Sequence, residues 1–158
     1  MSIIRDRELS LSELIEESNL VVEVGFIKKY TEEVAVTRMD SFETFPPFIK
    51  KGNIFKVKGV LKNTAKITVP EEIKVPEENW RRSLSQHKEA VMNGPSKSYT
   101  VPEYKTEVKS ISKAGILFLH HFQDMFDLTA KNAFEDLNSK EKITMIIQDE
   151  NPFDKGVR

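Results

Sequence analysis

The sequence predicts a mainly β fold: a small, mostly antiparallel β-barrel carrying a short N-terminal helix and an inserted helix. An α+β antiparallel sheet with its helices on one face is the alternative. Three observations predict this. Short stretches rich in Val, Ile and Phe recur along the chain. The clearest of them, "NIFKVKGVLKN" at 53–63, alternates apolar residues with lysines, the pattern of a half-buried antiparallel strand. Few helical segments separate the strands, so the long crossovers of a parallel sheet have little to be built from. Roughly six short strands with flanking helices suit a small closed or partly open barrel.

Taken in order, "SLSELIEESN" reads as a short helix. Ser10 is placed to cap its first N–H groups, with Glu13 three residues on completing a capping box. Residues 20–30, "LVVEVGFIKKY", read as a first strand, with Leu20, Val22, Val24 and Phe26 sharing a face. Residues 32–39 read as a second strand, after a turn at Thr31 and Glu32. Residues 41–53, "SFETFPPFIKKGN", read as a loop, because Pro46 and Pro47 interrupt ladder bonding. Its phenylalanines, Phe42, Phe45 and Phe48, are expected to serve as satellite core or to line a binding surface. The strand at 53–63 should pair with 65–73 across the "KNTA" turn, turning Ile67 and Val69 inward.

Residues 70–113 are expected to form an insertion within a single domain spanning 1–158. Within it, "ENWRRSLSQHKEAVMNG" is helical in pattern: Trp80, Leu84, His87 and Val91 recur at helical spacing, and Gly94 suits the stop. Residues 115–122 and 125–130 form a hairpin across Gln123 and Asp124. Residues 139–149 are read as a terminal helix capped by Ser139, with Ile143, Ile146 and Ile147 on one face. A strand is the rival there, because Ile-Thr-Met-Ile-Ile favours β structure.

Composition narrows the chemistry. The 158 residues carry a net charge of −1, so no global field steers the molecule to nucleic acid or anionic lipid. There is no cysteine, which excludes disulfides, thiolate metal sites and a Cys nucleophile. No stretch has a signal peptide's apolar core or the roughly 20 apolar residues of a membrane span, and a cytoplasmic location is the expectation. The HExxH, GxSxG, GxxxxGK[ST] and GxGxxG patterns do not occur.

The stretches "SLSELIEESNLVVEVGFIKKY", "IFKVKGVLKNTAKITV" and "AGILFLHHFQDMFDL" together resemble a loose group of bacterial proteins with OB-like or netrin-like barrels. In that group a helix leads into an L-V-V strand, a V-L-K-G strand end follows, and a Y-L-L-F-L strand with a hairpin comes later. Here Asn63 stands where Gly is usual, and Gly115 and Ile116 replace the aromatic start. The resemblance implies an OB-like fold. It carries over no functional residue, because the group has no shared catalytic motif.

Four candidate sites remain. His120 and His121 are adjacent on a strand and so should point to opposite faces, which prevents both from binding one metal. Asp124 and Asp127 lie nearby, yet the expectation is no metal site, with one His at the rim of the core and the other solvated. Glu71, Glu72, Glu77 and Glu78 read as surface charge rather than catalytic pairs. Lys50, Lys51, Lys56, Lys58, Lys62 and Lys66 run without an intervening acid, a pattern that suits tracking a single-stranded nucleic acid. Outward lysines also keep strands soluble and unpaired. Finally, Phe45, Phe48 and Trp80 are candidates for contact with a protein or small ligand. The expected function is therefore a non-enzymatic binding or accessory module without a cofactor. A nucleic-acid-binding module is the first alternative and a hydrolase the second.

Overall fold

A computed structural model describes residues 8–36, 45–77, 80–93 and 113–150. Expectations that fall on residues 37–44, 78–79, 94–112 and 151–158 lie outside these, among them Phe42, Glu78 and the helix stop at Gly94. Helix α1 (Leu11–Glu17) leads into strand β1 (Leu20–Val34). Then come β2 (Phe48–Asn63), β3 (Glu72–Pro76), α2 (Trp80–Asn93), β4 (Gly115–Phe122), β5 (Met125–Leu128), β6 (Phe134–Glu135) and α3 (Lys140–Glu150). A 3-10 turn, Leu137–Ser139, precedes α3.

The strands form one six-stranded antiparallel sheet in the order β3-β2-β1-β4-β5, with β6 also pairing with β4. Among the described residues no ladder closes the sheet. Its two ends nevertheless approach, since Cα atoms of β3 and β5 come within 8 Å. The main core joins Leu14 and Ile15 of α1 to Leu20, Val22 and Val24 of β1. Phe55, Ile73, Leu117, Leu119, Leu128 and Ile143 are among its other members, all buried.

Several elements form as the sequence predicts. The capping box of α1 is present, with Glu13 N–H donating to Ser10 Oγ at 3.2 Å and Ser10 N–H to Glu13 Oε1 at 3.0 Å. The β4–β5 hairpin turns at Gln123 and Asp124, with Gln123 at φ 57°. The terminal segment is a helix, and its Ile143 is fully buried. In α3 the β-favouring residues are overruled by tertiary burial of one apolar stripe.

Other elements are corrected. There is no turn at Thr31 and Glu32, because β1 runs on as one strand of 15 residues. Its partner β2, of 16 residues, begins at Phe48 inside the stretch read as a loop. Val34 pairs with Phe48 and Glu33 with Ile49, so residues 48–52 are a ladder from just after Pro47. The proline pair fixes where the strand begins rather than forbidding it. The partner strand expected at 65–73 forms at 72–76 instead. Asn63 holds the intervening loop, its side chain donating to the Ile67 carbonyl at 2.8 Å. Ile67 and Val69 still pack on the core, from irregular backbone. β3 is thus an edge of the main sheet, although it falls in the stretch read as an insertion. Ser139 makes no side-chain cap: its N–H closes the 3-10 turn onto Asp136.

A second, smaller core lies under α2. Val36, Phe45, Phe48 and Val91 are buried together, with Val34 and Leu84 against them. His87 is fully buried there; its Nε2 bonds the Pro46 carbonyl at 2.8 Å and its ring meets Phe48 edge-on at 5.8 Å. Leu84, His87 and Val91 of the predicted stripe therefore dock the helix on the far half of the β1–β2 pair.

Candidate functional site

The sheet brings the start of α2 onto the β4–β5 hairpin. In an antiparallel ladder, directly opposed residues share a face. His120 faces Asp127, and Phe122 faces Met125, so these four lie on one side. His121 and Phe126 oppose each other on the other side, their rings 4.8 Å apart. The two histidines are split between faces, as strand alternation requires. Asn19 clamps the backbone of His121 in both directions, accepting from its N–H at 2.7 Å and donating to its carbonyl at 2.9 Å.

Asp127 is the centre of the first face. Its side chain is 0% exposed. Trp80 Nε1 donates to its Oδ1 at 3.2 Å, and Arg81 Nη2 lies 2.7 Å from Oδ2. The Arg81 contact is an ion pair without hydrogen-bond alignment, so Oδ2 keeps a hydrogen-bonding direction unused. Arg81 also reaches Met125 Sδ at 3.8 Å, and its guanidinium stacks over the Trp80 ring, 4.6 Å from the centroid. Lys50 approaches the same ring at 4.1 Å. Trp80 is thus bracketed by two cations and held by a buried carboxylate.

Two further groups feel this charge. Beside Asp127, His120 is held below the usual imidazole range, because burial penalises its cation more than the Asp127 carboxylate favours it. Its Nδ1 is buried with no hydrogen-bond partner. Tyr30 of β1 has its phenol pushed well above the usual range, first by burial and then by the charges of Glu32, Asp127 and Glu77. Its ring lies 5.5 Å from Lys74 Nζ, and Lys74 in turn pairs with Glu32 at 3.3 Å. The cluster therefore offers a buried acceptor, an unpaired imidazole nitrogen, a protonated phenol and an aromatic face between cations.

The six lysines do not form one track. Lys50 and Lys51 are neighbours on a strand and so point to opposite faces. Lys62 donates to the Ile15 carbonyl near the end of α1, satisfying one of that helix's open acceptors. Lys58 falls at a shift in the β1–β2 register, and a second shift follows at Leu61, so the alternation is broken twice. Lys66 sits at φ 58° in the loop after β2. Lys51, Lys56, Lys58 and Lys66 remain exposed. Of the three aromatics expected at a binding surface, Phe45 and Phe48 are packed inward at 4% and 3% exposure, while Trp80 is half-buried in the cluster.

Among the described residues, no group of three or more His, Cys, Asp or Glu side chains is arranged to hold a metal ion. No described helix is long and apolar enough to cross a membrane. Sequence reasoning passed over Tyr30 and Arg81, and it weighed Asp127 solely as a metal ligand. The one local signal was a carboxylate between Phe126 and Leu128 in an otherwise apolar strand. Such a residue, if buried, needs a cation and donors, and Arg81 and Trp80 supply them from 46 and 47 positions earlier.

No protein-family model matches this chain, and no curated protein matches it.

Proposed function

We propose that this chain is a non-enzymatic binding module that seats a small polar ligand between the start of α2 and the end of the β4–β5 hairpin. The observation that carries the reading is the buried, unpartnered Nδ1 of His120 beside fully buried Asp127. An unmade buried hydrogen bond costs about 1–3 kcal/mol, so a ligand group that completes it gains that much. Trp80 and the half-exposed Phe122 supply an apolar rim above a polar floor, the usual make-up of a small-ligand site. An OB-like barrel belongs to the same reading. The edges of β3 and β5 approach without pairing, and α2 begins four residues after β3 and grips β5 through Asp127.

Trp80 is the one tryptophan of the chain, so its fluorescence reports on this place alone. Pools of small polar molecules titrated against the protein should contain at least one that changes Trp80 emission. That ligand should also shift the amide signals of His120 and Asp127. Its affinity should fall at least about tenfold in His120→Phe, the loss of about one good hydrogen bond. A ligand that binds equally well to His120→Phe would overturn the reading.

A second reading is kept because of a specific contact. Lys50 and Arg81 bracket the Trp80 ring, which gives the aromatic–cation interleaving that a single-stranded nucleic acid uses. A labelled oligonucleotide should then bind with an affinity that falls steeply with salt, and Trp80→Ala should weaken it. Binding that survives both Trp80→Ala and reversal of Lys56 and Lys58 to Glu rejects that reading.

A further inference from the structure

β1 pairs with β2 along its length, but with β4 over Leu20–Val24 alone. Beyond Val24, β4 has ended at Gly115, and no other described strand pairs with β1. The run from Gly25 to Val34 therefore presents one ladder edge that the described residues leave open. Open edges of this length are templates for another strand, and proteins usually block them.

The sequence along this edge is Lys28-Lys29-Tyr30-Thr31-Glu32-Glu33. Two lysines precede two glutamates by four positions, and that spacing is self-complementary. When a strand pairs antiparallel with a copy of itself, hydrogen bonding requires the two-fold axis to pass through a residue position, because both members of a pair must aim their backbone at each other. Centred on Thr31, Lys29 lies opposite the copy's Glu33, twice over. Centred on Tyr30, Lys28 lies opposite Glu32 in the same way. Neither register sets like charges directly opposite, which would be destabilising. The two registers differ in what they ask of the side chains. Lys29, Thr31 and Glu33 are all exposed, whereas Tyr30 is half-buried and Glu32 is engaged with Lys74.

We infer that β1 is a homodimerisation edge: two copies of this chain pair antiparallel through residues 28–34, with the two-fold axis at Thr31. Such a contact is isologous, the commonest form of closed assembly. It joins two six-stranded sheets into one continuous sheet and pairs, in each copy, the edge that the described residues leave open. Charge complementarity selects a second copy over a generic peptide strand. The inference is independent of the proposed ligand seat, which lies at α2 and the β4–β5 hairpin.

The absence of cysteine makes the decisive experiment clean. Thr31→Cys places a single thiol opposite its own copy across the axis, and mild oxidation should give a covalent dimer in high yield. Glu16→Cys, on an exposed position of α1, should not. Sedimentation of the unaltered chain at about 100 μM, where a micromolar dimer is largely formed, should give twice the 18.2 kDa chain mass. Lys29→Glu should weaken the dimer at least tenfold by facing two glutamates at each end, and Lys29→Glu with Glu33→Lys should restore it. A monomer at that concentration overturns the inference. So does a dimer indifferent to Lys29→Glu, or one whose Thr31→Cys form does not crosslink.

Discussion

Removing Arg81 and neutralising Asp127 are not equivalent, because the two partners sit in different surroundings. Asp127 is wholly buried while the Arg81 side chain is 40% exposed. Arg81→Ala strands a buried carboxylate with Trp80 as its remaining donor, at a cost of about 2–3 kcal/mol. Solvent screening of the exposed partner keeps the figure below that of a fully buried pair. Asp127→Asn keeps an acceptor for Trp80 and leaves Arg81 to water, at about 1 kcal/mol. Urea unfolding should rank them in that order, and the reverse ranking would show that the carboxylate is not held as a charge. His120 gives a pH dependence of definite sign. Its folded-state pKa is lowered, so the unfolded chain takes up the proton first as pH falls. The contribution of His120 is complete above about pH 6.5 and is lost below it. Melting curves between pH 8 and 5 should show this loss, and His120→Phe should flatten it. At Gly52 the backbone leaves no room for a side chain. A Cβ there would come 2.5 Å from the Val75 carbonyl oxygen and 2.7 Å from Pro76 Cα. Gly52→Ala should cost at least about 2 kcal/mol, whereas Gly59→Ala, with its nearest neighbour at 3.9 Å, should stay within about 1 kcal/mol.

At the scale of elements, α2 is held by two attachments of different kinds. One is the satellite core around Phe48 and His87, and the other is the Asp127 clamp at its first turn. Phe48→Ala removes a ring that is 3% exposed, and a loss of about 3 kcal/mol follows from the area and the cavity. That core is separate from the main one, so hydrogen exchange should show α2 amides losing protection while β4 amides keep theirs. Equal loss in both would mean that the two cores unfold as one unit. The stripe that docks α2 was legible in its helical spacing, as was the capping box of α1. The length of β1 was not. Thr31 and Glu32 look like a turn because they are polar, yet they form ladder pairs with Lys51 and Lys50. A polar run in a strand is stabilised by the partner strand's backbone and by cross-strand charges, neither of which is visible locally.

For the whole molecule, local pattern determined the class. Alternation at 53–63, the β-rich run at 20–30 and the hairpin at Gln123 and Asp124 specify antiparallel strands, because period-two burial and turn chemistry act over a few residues. They also separate His120 from His121, a conclusion that needed no coordinates. What the tertiary structure decided was everything that depends on distant segments meeting. The sheet order sets β3 and β5 near each other without closing the ladder between them. The same arrangement brings Trp80 and Arg81 to Asp127, and among the described residues it leaves one edge of β1 without a partner past Val24. Burial of a carboxylate, or exposure of a strand edge, is a property of the assembled sheet. Sequence periodicity assigns a residue to a face, but which neighbour covers that face is settled when the strands take their places.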